Sequence, residues 1–176
     1  MTRAIYQRLL SDLREESDRL SELLSELADT YWDLGTPSVG WTVRDQVTHL
    51  AFFDDVTITA LRDPVKFRSL ADALMAEGMD FPDRIAGEHR ALTPQAALSW
   101  FVGSRSELLE NFAAQDPKAR LPWFGPDMST ISCATARLME TWAHGRDIYD
   151  AIGIELAEER HGRGVAPGGR PRPRRA

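Results

Sequence analysis

The sequence predicts an all-α protein built as a bundle of four long helices. Three observations carry this expectation. Apolar residues recur at three-and-four spacing over four long stretches, the period of a helix with one buried face. Three of these stretches open on a threonine suited to capping, at Thr2, Thr42 and Thr93. No alternating strand pattern of useful length appears, and no internal repeat is visible. The 176 residues suffice for one domain with a real core and are too few for two full-sized ones.

In the first stretch Ile5, Leu9, Leu13, Leu20, Leu23, Leu24 and Leu27 share a face, with charged residues between them. Thr2 is its expected N-cap, and the pattern fades at Asp29-Thr30, ahead of Gly35-Thr36-Pro37. The second helix is expected to start at Thr42, with Asp45 three residues on in a capping-box arrangement. Val43, Val47, Leu50, Ile58 and Leu61 form its stripe, and His49, Phe53 and Val56 run beside it. So wide an apolar face predicts a central position. Arg62-Asp63-Pro64 interrupts the pattern, Val65 to Ala76 resumes as helix, and Gly78 to Pro82 reads as a loop.

The third long helix is capped by Thr93 and carries Pro94 at its first position, where a missing N–H costs nothing. Leu98, Phe101, Val102, Leu108, Leu109 and Phe112 follow, and the helix ends near Asp116-Pro117. Leu121-Pro122-Trp123-Phe124-Gly125-Pro126 reads as an irregular aromatic loop, either lining a substrate pocket or covering the core. The fourth helix runs from about Ser129 to Ala151 and stops before Gly153. Residues 1–153 are therefore expected to form the bundle. Residues 154–176, dominated by Arg, Gly, Pro and Ala after Glu159, are expected to be a disordered basic tail.

All 27 acidic residues lie at or before Glu159, with 15 basic residues among them, so the first 159 residues carry a net charge of −12. Such an acidic body would displace no phosphate counterions, which argues against nucleic-acid binding. No apolar run approaches the roughly 18 residues that would span a bilayer, and the N-terminus leads into an amphipathic pattern rather than a signal-peptide core. Cys133, the single cysteine, excludes an internal disulfide and fits a reducing compartment, so the expected location is the cytoplasm. A homodimer is compatible with this composition.

On a helical wheel the fourth helix places Ile131, Leu138, Trp142 and Tyr149 on one side and Cys133, Ala136, Glu140, His144 and Asp147 on the other. Glu140 and His144 are four residues apart, so they project from one face a turn apart and could share one ion. Imidazole and carboxylate suit zinc, nickel, iron or manganese. His49, on the helix expected to be central, is the best candidate for a third ligand. The plainer readings stand beside this one. Glu140 and His144 could face water, and His49 could be a hydrogen-bonded core histidine. Cys133 reads as a small buried hydrophobe, His89 as a surface residue, and His161 as part of the tail. Asp45 or Asp147 could orient an imidazole, or serve simply as a cap or a surface charge.

Trp41-Thr42-Val43-Arg44-Asp45-Gln46-Val47-Thr48-His49-Leu50 resembles the second-helix signature of the DinB-like superfamily. The resemblance is to its branch of mycothiol-dependent maleylpyruvate isomerase N-terminal domains. Met139-Glu140-Thr141-Trp142-Ala143-His144-Gly145-Arg146-Asp147-Ile148 resembles that branch's second metal motif. Together the two motifs bring roughly residues 5 to 153 under the resemblance. It implies an up-down-down-up four-helix bundle holding a zinc-type ion, with His49, Glu140 and His144 as the ligands.

The resemblance also implies a chemistry. Three protein ligands leave a coordination position open, as in catalytic rather than structural sites. In isomerase-like members a small thiol such as mycothiol is thought to use that position and to act as a thiolate on an electrophilic double bond. Other members look like thiol transferases. The expected function is thus a metal-binding, mycothiol-dependent transferase or isomerase domain, with a small-molecule thiol and an electrophile as partners. The alternatives are a metal-binding or stress-related bundle without catalysis, and an interaction module without metal. Related isomerases carry a second, C-terminal domain that contributes to the active site, which the Arg/Gly/Pro tail does not resemble. Its composition would also fit the frame-shifted end of a gene for a longer protein, which resequencing the downstream DNA would decide. No residue besides the three ligands stands out as a general acid or base.

Overall fold

The computed structural model describes residues 2–154. The order of elements is α1 (Thr2–Glu26), a 3-10 turn (Asp29–Asp33), α2 (Val43–Arg62), α3 (Pro64–Ala76), α4 (Phe81–Glu88), α5 (Pro94–Ala114), β1 (Arg120–Leu121), β2 (Met128–Ser129) and α6 (Thr130–Ile152). The four long helices α1, α2, α5 and α6 make the expected bundle.

The start signals act where the sequence places them. Thr42 Oγ1 accepts from the backbone N–H of Asp45 while the Asp45 carboxylate accepts from the Thr42 N–H, a complete capping box. Thr93 and Ser129 cap α5 and α6 through their hydroxyls alone, and Asp63 caps α3 just before Pro64. α6 stops at Gly153, whose φ of 73° lies in the left-handed region that only glycine adopts freely.

Cross-helix contacts fix the directions. Trp100 reaches Asp55 and Asn111 reaches Arg62, so α2 and α5 run parallel. Tyr6 Oη donates to the Phe112 carbonyl and Ser17 meets Arg105, so α1 opposes α5. Gln46 meets Asp147 and Asp54 meets Arg137, so α2 opposes α6. The topology is up-down-down-up, and the parallel pair α2 and α5 is joined by the long crossover through α3 and α4.

Two apolar clusters form the core. Tyr6, Leu13, Val56, Leu108, Phe112 and Cys133 belong to one, and Leu20, Leu24, Trp32, Val47, Leu50, Phe101 and Ile148 to the other. Along each helix the two are separated by a buried polar level holding Ser17, Asp54, Arg105, Arg137 and Thr141. α2 is central, as its wide apolar face predicts: most of its length is buried. No described helix is long and apolar enough to cross a membrane.

Several local expectations are corrected. Thr2 lies inside the first turn of α1 rather than ahead of it. Phe81 and Pro82 open a helix instead of closing a loop, because Pro82 sits in the first turn where its missing N–H is harmless, and Phe81 and Ile85 find core contacts. Leu121, placed in an irregular loop, pairs through β1 with β2 as a two-residue antiparallel ribbon around the aromatic tip. Ile5 and Val102 face solvent, and Trp142 is 59% exposed. Apart from Ile154, the expected disordered tail lies outside the described residues.

Candidate metal centre

α2 and α6 cross where His49 faces Glu140 and His144. Glu140 Oε2 lies 3.1 Å from His144 Nε2 and 3.5 Å from His49 Nε2. One ligand atom from each of the three residues falls within 4.8 Å of the other two. Bonds of about 2.0–2.1 Å in a tetrahedral shell place neighbouring ligand atoms roughly 3.3 Å apart. The two short separations bracket that figure, and the donor set of two imidazoles and a carboxylate suits a zinc-type ion. The residues therefore fit such a group.

The environment prepares each member for that role. His49 is 11% exposed at its side chain and packs between Trp41 and Phe53, with ring centroids at 5.1 and 4.6 Å. Burial lowers its pKa from 6.5 to about 4, so its imidazole is neutral at physiological pH and its lone pair is free. Glu140 is held well below the usual carboxylate range, first by its hydrogen bond to His144, then by that to His49, against the effect of burial. The His49 shift has a consequence for stability. In the metal-free protein the unfolded chain binds a proton at His49 below pH 6.5 while the folded protein does not until about pH 4. Stability is therefore expected to fall as pH falls across that window, and denaturant midpoints taken at pH 7 and pH 5 check it.

A polar chain behind His144 fixes its tautomer. The Gln46 side-chain amide donates to Thr36 Oγ1 at 2.8 Å and to Asp147 Oδ2 at 3.1 Å, so its oxygen is the atom that faces His144 Nδ1. His144 therefore donates from Nδ1, and Nε2 is the ring atom that faces Glu140. Ser38 Oγ donates to the same Asp147 oxygen at 2.6 Å and anchors the far end. Gln46→Leu keeps the volume and removes this chain. Outer partners of this kind govern roughly 10–100-fold in metal affinity, and a competitive zinc titration of the variant is expected to show a loss in that range.

The other singled-out residues resolve individually. Asp45 orients no imidazole: it completes the capping box and grips Arg90 at 2.9–3.2 Å. Asp147 does orient one, through Gln46. His89 is half-buried rather than a plain surface residue, its ring tilted against Trp100 at 4.7 Å with Nδ1 on the Ile85 carbonyl. His161 lies outside the described residues. The Trp123–Phe124 tip packs on Phe53 at 6.4 and 5.9 Å, one ring away from His49, so it covers both the core and the flank of the centre. Cys133 is buried, and burial pushes its thiol up to about 11. It is expected to resist alkylation by iodoacetamide at pH 7.5 in the native protein and to react fully once the chain is denatured.

Sequence reasoning missed Gln46, Trp41 and the buried ion cluster beside the centre. Gln46 sits one turn before His49, and Trp41 opens the same motif, so both lie within the segment already singled out. The cluster consists of Asp54, Arg105 and Arg137. Asp54 takes Arg105 through Nε at 2.6 Å and Nη2 at 3.2 Å, while Arg137 Nε stands 3.3 Å from its other side. The available signal was that each lies one turn after apolar residues on its own helix, Leu50 and Ala51, Phe101, and Cys133 and Ala134.

Comparison with known proteins agrees with this fold. Two uncharacterized proteins of Mycobacterium tuberculosis, from two strains, are each 43% identical over 145 residues, covering 82% of this chain and 56% of theirs. Crystal structures of a mycothiol-dependent maleylpyruvate isomerase and of a mutant of it superpose with a TM-score of 0.65 at 14–15% identity. They cover 81% of this chain and 60% of their own, a likeness that shows the fold. The chain thus spans little more than half the length of the relatives it matches. Residues 13–149 match the family described as the mycothiol maleylpyruvate isomerase N-terminal domain, and the chain belongs to that family.

Proposed function

We propose that this chain is the divalent-metal-binding domain of a thiol-dependent transferase or isomerase, using mycothiol in the cytoplasm. The observation that carries the reading is the convergence of His49 Nε2, Glu140 Oε2 and His144 Nε2 on one point, with the His144 tautomer set by Gln46. Three acceptor atoms this close repel one another unless a proton or a cation lies between them. Zinc is the ion the donor set favours, with nickel, iron or manganese as alternatives.

The chain's own residues divide the work. His49 stays neutral because it is buried, Glu140 supplies negative charge, and Gln46 with Asp147 holds the His144 ring in register. Trp41 and Phe53 wall the centre with apolar surface and limit the access of water. A divalent ion bound there, with one position left to a ligand, would keep a small thiol ionised near neutral pH. The solved relatives are mycothiol-dependent isomerases by name, which supports mycothiol as the thiol.

The test is calorimetric titration of mycothiol into zinc-loaded and metal-free protein, followed by an assay of thiol conjugation to maleylpyruvate-type electrophiles. Zinc-dependent thiol binding is the expected result. Zinc retention without thiol binding would contradict the proposal and leave a metal-binding protein without this chemistry.

A further inference from the structure

We propose that Arg137 is a specificity-determining residue whose guanidinium edge receives a carboxylate of the ligand beside the metal centre. The proposal takes its substrate from the metal-centre reading and its anion site from the ion-cluster geometry.

Arg137 is 2% exposed, yet its Nε and Nη2 have no hydrogen-bond partner. Among the described residues these are the buried side-chain polar atoms left unpaired. Native interiors rarely tolerate this, least of all on a charged group. The two atoms are not an arbitrary pair. Nε–H and Nη2–H form one edge of the planar fork, the edge that holds both oxygens of a carboxylate side by side. The same protein uses that edge twice. Arg90 grips Asp45 with it, and Arg105 grips Asp54. Arg137 lies 3.3 Å from Asp54 Oδ1 without a hydrogen bond, because Asp54 is already committed to Arg105.

Charge points the same way. The buried level holds two guanidiniums against the single carboxylate of Asp54. Glu140, one turn after Arg137 on α6, balances the excess only while no cation occupies the triad. With a divalent ion in place, two positive charges on this side of the bundle are uncompensated. One fits a thiolate and the other a carboxylate. Phe53 links the two places: its ring lies 4.6 Å from the His49 ring and 5.8 Å from the Arg137 guanidinium carbon. A ligand carrying both an electrophilic carbon and a carboxylate would therefore lie along Phe53, under the Trp123–Phe124 tip, with its rings moved aside.

The experiment titrates sodium succinate into zinc-loaded and metal-free protein labelled with 15N-arginine, following the Nε–H signal of Arg137 by NMR. Saturable binding with a downfield shift of that signal is expected. Calorimetric titration of succinate reads the variants, which lack that signal, and Arg137→Met should bind at least about tenfold more weakly than wild type, the scale of a charged hydrogen-bonded pair. Arg137→Lys, which keeps charge but loses the fork, should fall between. Because the Arg137 side chain makes no hydrogen bond and Asp54 keeps Arg105, both variants should fold; if the Met variant does not, the wild-type shift and the Lys variant decide. No saturable shift in wild type, or equal affinity in the variants, would overturn the assignment. Failure of zinc to bind while succinate still moves Arg137 would overturn the metal reading alone.

Discussion

Asp54→Ala is expected to be the most destabilising single substitution in the bundle, at about 3–5 kcal/mol, the cost of removing one partner from a buried ion pair. Asp54 is fully buried and faces two guanidiniums that are themselves buried. Its removal leaves both cations in the interior without a counter-ion, midway between the two apolar clusters. Domains of this kind have only about 5–15 kcal/mol in total, so the variant should sit near the threshold of folding. Arg137→Met should cost far less, since it removes the cation that Asp54 pairs with but does not hydrogen-bond and leaves Asp54–Arg105 intact. Urea denaturation of the metal-free proteins separates the two. An Asp54→Ala midpoint close to wild type would show that water reaches this level of the core.

Glu140→Gln is the second large effect, and it should act on metal while sparing the fold. The amide keeps the shape of the carboxylate but carries no charge, so zinc affinity should fall by at least about 100-fold, the upper end of what outer partners alone govern. The metal-free variant should still fold, giving up at neutral pH the stability that the depressed Glu140 carboxylate contributes. Its new N–H groups can donate to His49 Nε2 and His144 Nε2, which in the wild type crowd a carboxylate at 3.5 and 3.1 Å. Competitive zinc titration and thermal melting of the same sample read both outcomes. Retained zinc affinity would remove Glu140 from the ligand set.

The long helices were legible because their signals are local. Thr42 with Asp45, Thr93 with Pro94, and the spacing from Leu98 to Phe112 depend only on neighbours in the chain. Helix α4 was not, since its eight residues are too few for a periodic pattern and Gly78 and Pro82 punctuate its start. Trp142 shows the limit of the wheel, which ranks faces by hydrophobicity although packing decides. The buried face of α6 carries Cys133, Arg137, Thr141 and Ile148, because Asp54 and Arg105 draw the polar members inward. In the site, His49, Glu140 and His144 could be named from two motifs, while spacing alone left their plainer readings open. Gln46 and the ion cluster could not be, since their roles depend on the relative rotation of helices whose contacting residues lie 98 and 51 positions apart in sequence.

The most direct test of the central claim is elemental analysis of the purified protein beside His49→Ala and His144→Ala. About one divalent ion per chain in wild type, as a three-ligand site with an open position requires, and loss in both variants is the predicted result. Wild-type protein that holds no metal after reconstitution, or variants that retain it, would contradict the account.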